Sequence, residues 1–152
     1  MCIRDSVGEA NGVRWYNDSK ATTPHAALTA IRAFDSLVLI AGGKNKGLDL
    51  SELASEPQRM RGVVAIGEAA DLVATVFDGV CPVRRAGSMH AAIEAAAAMA
   101  RAGDAVVLSP ACASFDWYPQ GPNGGYPARG VDFRDRVLEH LTAAKAHARV
   151  AS

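Results

Sequence analysis

The sequence predicts an α/β domain with a mostly parallel sheet and helices on both faces. Short apolar runs alternate with helix-patterned stretches along the chain. Two of the runs, SLVLIAG (36–42) and AVVLSP (105–110), are almost continuously apolar, as strands covered on both faces must be. Polar loops rich in Gly, Ser or Lys follow three of the runs, at the strand ends where such sheets take up ligands.

The elements follow in order. MCIRDS (1–6) has no periodicity, so residues 1–11 are expected to be a non-native leader or linker outside the domain. GVRWY (12–16) reads as the first strand. Thr23 is a natural N-cap with Pro24 at the first helical position, and that helix is expected to reach about Phe34. After the strand at 36–42, Asp49 to Glu52 have capping-box spacing and should open a short helix. GVVAIG (62–67) is the next strand. Ala69, Leu72, Val73, Val76 and Phe77 then recur at helical spacing and predict one buried face. CPVRRA (81–86) is a weaker strand. Ser88 caps a helix expected through Ala102, with Met89, Ile93, Ala96 and Met99 or Ala100 inward and Gly103 as the stop. WYPQGPNGGYPARG (117–130), with three Pro and four Gly, predicts a long surface loop. Phe133, Val137, Leu141 and Ala144 stripe a C-terminal helix. A single domain is expected over 12–143, with 144–152 as a fraying tail.

Composition narrows the function. Of 152 residues 49% are apolar, which excludes a disordered chain, and the 16 basic and 16 acidic residues cancel. A general nucleic-acid binder would carry a basic excess. No apolar run is long enough to span a membrane, and the N-terminus lacks the apolar core of a secretory signal, so a cytoplasmic protein without membrane contact is expected. Cys2, Cys81 and Cys112 are odd in number and widely spaced, and the four histidines are scattered through helical patterns. No disulfide framework or metal site is expected.

The chemistry is therefore expected in the loops. In NDSKAT (17–22), Asp18 brings a carboxylate, Ser19 and Thr22 bring hydroxyls, and Lys20 brings a point charge suited to phosphate or carboxylate. Asn, Asp, Ser and Thr also crowd ordinary turns for local hydrogen-bonding reasons. In GGKNKGLD (42–49) the glycine pair permits close approach of backbone to a ligand, and Lys44 or Lys46 can meet an anion; a solvated basic turn is the competing explanation. Neither a P-loop nor a G-x-G-x-x-G fingerprint is present. SPACAS (109–114) offers Ser109 and Ser114 at a strand end. Cys112 has no histidine in these loops to act as its base, so it reads as a buried structural thiol.

NDSKAT, GGKNKGLD and SPACASFD, in this order and at these separations, resemble the C-terminal domain of the D-glutamate-adding Mur ligases of peptidoglycan synthesis over about residues 12–142. Sister Mur ligases carry other sequences, of D-Y-A-H type, where this chain has Asp18-Ser19-Lys20. The resemblance implies a Rossmann-like sheet that does not bind a dinucleotide. It implies that ATP phosphorylates the carboxylate of UDP-N-acetylmuramoyl-L-alanine and that the D-glutamate amine attacks the acyl phosphate, with magnesium required. It puts Asp18 near the nucleotide ribose, and Lys20, as the catalytic group, with Thr22 near the acyl phosphate and D-glutamate. It gives Lys46 the D-glutamate carboxylate, has Ser114 and Phe115 hold the same substrate, and has Tyr126, three residues before Arg129-Gly130, close over it. Between Asp116 and Arg129 the chain is a few residues longer than the family pattern, which keeps Trp117 and Tyr118 as alternatives to Tyr126. The family's N-terminal and central ATPase domains are missing, so the chain reads as a piece of a monomeric ligase, inactive and without ATP or magnesium by itself. Two alternatives stand: another ATP-dependent amino-acid ligase of the Mur superfamily, and a stand-alone small-anion-binding module.

Overall fold

The computed structural model describes residues 5–19, 21–43, 49–112 and 125–151, with side chains described over the same stretches except at residues 5, 125–127 and 145–151. Among the described residues, six strands form one sheet: β1 (Asp5–Ala10), β2 (Val13–Asn17), β3 (Leu37–Gly42), β4 (Met60–Ile66), β5 (Val83–Ala86) and β6 (Ala105–Ala111). Their spatial order is β1-β2-β6-β3-β4-β5. β1 runs antiparallel to β2, and every other pairing is parallel. β3 and β6 lie at the centre, and every residue in both is buried. That burial is why their sequences are continuously apolar rather than alternating.

Among the described residues, four α-helices cover the sheet: α1 (Pro24–Ile31), α2 (Ala70–Val76), α3 (Met89–Met99) and α4 (Gly125–Ala151). Alternate strand residues feed two cores. Leu37, Leu39, Val63, Ala65 and Val107 face α1 and α2, joined by Ala27, Ile31, Val73 and Phe77. Val38, Ile40, Val64, Val106 and Leu108 face α3 and α4, joined by Ile93, Ala96, Phe133, Val137 and Leu141. The layered α/β expectation is therefore met.

Several boundaries differ from expectation. The expected leader or linker at 1–11 is corrected from residue 5 onward. Residues 5–10 form β1, which pairs with β2 through Ala10↔Val13 and Glu9↔Arg14 around the Asn11–Gly12 turn. Asn11 and Gly12 both have positive φ (55° and 79°), the hairpin geometry that this residue pair favours. Thr23 caps α1 as expected, its Oγ1 accepting from the Ala26 amide at 3.3 Å. The helix stops at Ile31 rather than Phe34, because the amides of Ala33 and Phe34 close tighter turns onto Ala30 and Ile31. Asp49 does not build a capping box. Its Oδ1 accepts from the Ser51 amide at 2.9 Å, two residues on, and the chain then makes a 3-10 turn over Ser51–Ser55. In α2, Ala69, Val73 and Phe77 are buried, but Leu72 is 39% exposed because the helix is only two turns long. Ser88 caps α3 through the Ala91 amide at 3.1 Å, and Ala100, already extended, ends the helix short of Ala102. The expected surface loop at 117–130 is helical from Gly125. Pro127 is tolerated there because the first turn's amides have no intrahelical acceptor. α4 then continues to Ala151, through the segment expected to fray. Residues 117–124 lie outside the described residues.

The chain passes from β2 to β3, leaves a gap, moves outward to β5, and returns to fill the gap with β6. The carboxyl ends of β2, β6 and β3 are consequently neighbours, at the point where the winding reverses. Ligands of open α/β sheets bind at such a point.

Candidate functional site

The strand-end loops are tied together by a small set of buried polar groups. β2 extends its ladder by one residue, with the Asp18 amide donating to Leu108 O at 2.8 Å. Asp18 is only 2% exposed. Its Oδ2 accepts from Ser109 Oγ, on the neighbouring β6, at 3.0 Å. Ser109 points there because β6 carries a bulge: Ile40 pairs with Leu108 but Gly42 pairs with Ala111, so β6 has one residue more than β3 over that interval. Pro110 lies within the bulge, where its lack of an N–H costs the central ladder nothing. Ala111 follows with φ of 65° and donates its amide to Ala21 O at 2.8 Å, which closes the β2 loop onto β6.

Asn17 organises the turn from the other side. Its Oδ1 accepts from the Ser19 amide at 3.1 Å, and its Nδ2 donates to Gly130 O at 3.3 Å. Arg129, the preceding residue of α4, is 1% exposed, and its Nη2 donates to Ser19 O at 3.2 Å and to Cys112 O at 3.0 Å. A Cβ on Gly130 would meet Ser19 Oγ at 2.5 Å, so this turn of α4 rests directly on the β2 loop. α4 thereby clasps the loops after β2 and β6 at once.

At the end of β3, Gly42 and Gly43 have φ of 132° and 129°. The glycine pair was expected to admit a ligand. Gly42 is instead required by the sheet, since a Cβ there would stand 2.0 Å from Ile66 O on β4. Gly43 bridges to the β4–α2 turn, donating to Ile66 O at 3.1 Å and accepting from the Ala69 amide at 2.8 Å. At the far end of this loop the Ser51 backbone amide, then its side chain, hold the Asp49 carboxyl below the usual carboxylate range.

Of the residues singled out from sequence, Asp18 and Thr22 flank the Asp18–Ala21 turn, Asp18 buried and Thr22 half-buried. Tyr126 lies in the first turn of α4, and its side chain is outside the described residues. Lys20, Lys44, Lys46, Ser114, Phe115, Trp117 and Tyr118 also lie outside them. Cys112 is buried in the core, as expected of a structural thiol. Burial pushes the Cys81 thiol, remote from these loops in the turn before β5, up to about 11. Among the histidines, His25 and His90 are exposed, while His140 is half-buried with its ring 5.4 Å from that of Trp15. Among the described residues no group of three His, Cys, Asp or Glu side chains can hold a metal ion, and no helix is long and apolar enough to cross a membrane. Sequence reasoning missed Asn17, Ser109 and Arg129 as the groups that join the loops. Pro110 inside an apolar strand was the available signal for the bulge.

Fold and site define a three-layer α/β domain whose polar strand-end loops converge at the switch point of its sheet. The chain belongs to the Mur ligase, glutamate ligase domain family, whose sequence profile matches residues 5–112. It is 45% identical over 141 residues to a UDP-N-acetylmuramoylalanine--D-glutamate ligase of Nitrosococcus oceani, covering 90% of this chain and 30% of that protein. A protein of the same name from Frankia casuarinae is 44% identical, with 86% and 28% covered, and one from Acidobacterium capsulatum is 43% identical, with 91% and 29% covered. The chain thus spans about 30% of the length of these relatives. A crystal structure of a domain assigned to a UDP-N-acetylmuramate:L-alanyl-gamma-D-glutamyl-medo-diaminopimelate ligase of Haemophilus ducreyi shares the fold, with a TM-score of 0.52, 18% identity, and 70% of this chain and 86% of that one covered.

Proposed function

We propose that this chain is the D-glutamate-binding C-terminal domain of a UDP-N-acetylmuramoylalanine–D-glutamate ligase, a cytoplasmic, monomeric enzyme of peptidoglycan synthesis. The observation that carries the reading is the convergence of the loops after β2 and β6 around Asp18, Ser109 and Arg129, in a chain whose relatives at 43–45% identity bear that name. In the proposed reaction, the carboxylate of UDP-N-acetylmuramoyl-L-alanine takes the γ-phosphoryl group of ATP to give an acyl phosphate, and ADP is released. The D-glutamate amine attacks the carbonyl carbon, the amide bond forms, and phosphate leaves.

The work assigned to this domain is positioning. D-Glutamate carries two carboxylates and must present an uncharged amine to the electrophile. Fixed cationic and hydroxyl donors hold the carboxylates and leave the amine unencumbered. We assign the D-glutamate carboxylate to Lys46, and further contacts to Thr22, Ser114, Phe115 and Tyr126. Lys20 is assigned to the charge of the acyl phosphate and of the departing phosphate, where a point charge is most useful. Asp18, oriented by Ser109, is assigned to the ribose of the nucleotide. The magnesium and ATP-phosphate sites of the reaction are assigned to the central ATPase domain that the family resemblance implies, outside this chain. Closure of that part onto this domain would complete the site.

The test is steady-state kinetics on Lys46→Ala and Lys44→Ala in the full-length ligase, with thermal melts as the folding control. Loss of a charge-assisted contact is worth about 1.5–3 kcal/mol. Lys46→Ala should therefore lower kcat/KM for D-glutamate by about ten- to a hundredfold at unchanged stability. Lys44→Ala should do less. Unchanged D-glutamate kinetics in Lys46→Ala would remove Lys46 from the site.

A further inference from the structure

Among the described residues, Arg129 holds the loops after β2 and β6 simultaneously from a third element. A single nitrogen, Nη2, donates to Ser19 O at 3.2 Å and to Cys112 O at 3.0 Å. The side chain is 1% exposed. Burying a guanidinium is costly, and here it is offset by hydrogen bonds to two backbone carbonyls. What an apolar side chain cannot do is fix two backbone carbonyls at one distance from a common point. The neighbouring residue holds the same turn of α4 against the β2 loop: Gly130 O accepts from Asn17 Nδ2 at 3.3 Å, and a Cβ on Gly130 would meet Ser19 Oγ at 2.5 Å. β2 and β6 are adjacent strands in register, Asn17 beside Leu108, so their loops leave the sheet side by side. Ser19 immediately precedes Lys20, and Cys112 stands two residues before Ser114.

We infer that Arg129 is a positioning residue for the ligation reaction. It sets the separation of the two loops, so that the groups following Ser19 and those following Cys112 act on one D-glutamate molecule. The inference rests on the proposed function above. Arg129 itself touches no substrate. It acts through the two carbonyls.

The experiment measures initial rates of the full-length ligase containing this chain, as wild type, Arg129→Met, Arg129→Lys and Lys46→Ala, each against D-glutamate and against UDP-N-acetylmuramoyl-L-alanine. Arg129→Met, with no donor, should raise the KM for D-glutamate by about tenfold or more while leaving that for the nucleotide substrate within about twofold. Arg129→Lys, a single ammonium that can keep part of the contact, should fall between Arg129→Met and wild type. A folded Arg129→Met with wild-type KM for D-glutamate, or with both KM values raised alike, overturns the role. If Arg129→Met does not fold, Arg129→Lys decides: a raised KM for D-glutamate with the nucleotide-substrate KM within about twofold supports the role, and a wild-type value overturns it. Failure of both to fold assigns Arg129 to folding alone and overturns it as well. An effect of Lys46→Ala without one from Arg129→Met removes only the positioning role. A wild-type rate that does not depend on D-glutamate brings down the functional assignment underneath it.

Discussion

Gly42 shows how tightly single residues are constrained at the strand ends. With its φ of 132°, and with Ile66 O only 2.0 Å from where a Cβ would stand, the position has no place for any side chain. Backbone of β4, which cannot swing aside as a flexible side chain would, is the obstacle. Gly42→Ala is expected to cost about 3 kcal/mol or more, among the larger effects of a single substitution. Chemical denaturation would read this as a lower midpoint, and a change within about 0.5 kcal/mol would contradict it. The polar character of the Asp18 loop was plain in the sequence, because polar residues crowd after an apolar strand. That Asp18 turns inward to Ser109 was not, since the β6 bulge is a pairing property and no local pattern states it. Arg129 was equally hidden. An arginine at the end of an expected surface loop is read as exposed, and only the docking of α4 onto two distant loops buries it.

Among elements, strands were easier to read than helix ends. β3 and β6 announce themselves because burial on both faces demands an unbroken apolar run. β1 was lost because an antiparallel edge strand carries little apolar signal, and its place is fixed by the Asn11–Gly12 hairpin. α3 and β6 are joined by a turn that hangs on Asp104, at the end of the sheet opposite the proposed site. Asp104 is 2% exposed. Arg61 Nε donates to it at 2.9 Å and the Arg101 amide at 2.8 Å. Burial pushes its carboxyl up, but the hydrogen bonds from Arg61, Ser36 and the Arg101 amide, with the Arg61 charge, outweigh burial and leave it below the usual range. A carboxyl depressed in the folded state stabilises fully above its unfolded value, about 3.9, and loses that contribution as pH falls through the folded value. Asp104→Asn should therefore melt lower at pH 7, at about 2–4 °C per kcal/mol for a domain of this size. The gap to wild type should narrow below about pH 4. A gap independent of pH would contradict the charge-assisted account of this turn.

For the whole molecule, the β2-to-β3 excursion and the return of β6 are what make three loops distant in sequence into neighbours. Strand and helix alternation made a parallel sheet legible and with it the gathering of these loops at one edge. The strand order was not legible, because the choice to fill the central gap last depends on side-to-side pairing energies. A domain that contributes one wall of a site should do little alone. The isolated chain is expected to form no amide from ATP, UDP-N-acetylmuramoyl-L-alanine and D-glutamate, and to bind D-glutamate weakly, since an open site leaves the charges hydrated. Calorimetry giving nanomolar affinity, or product from the isolated chain, would contradict this.

The central claim is that this domain selects D-glutamate for ligation. Phosphate release by the full-length protein, with ATP and UDP-N-acetylmuramoyl-L-alanine present and a panel of amino acids offered one at a time, tests it most directly. The account predicts sustained release, matched by amide product, with D-glutamate and only background with L-glutamate, L-lysine or meso-diaminopimelate. Turnover with one of those amino acids in place of D-glutamate, or release that needs no amino acid, would contradict it.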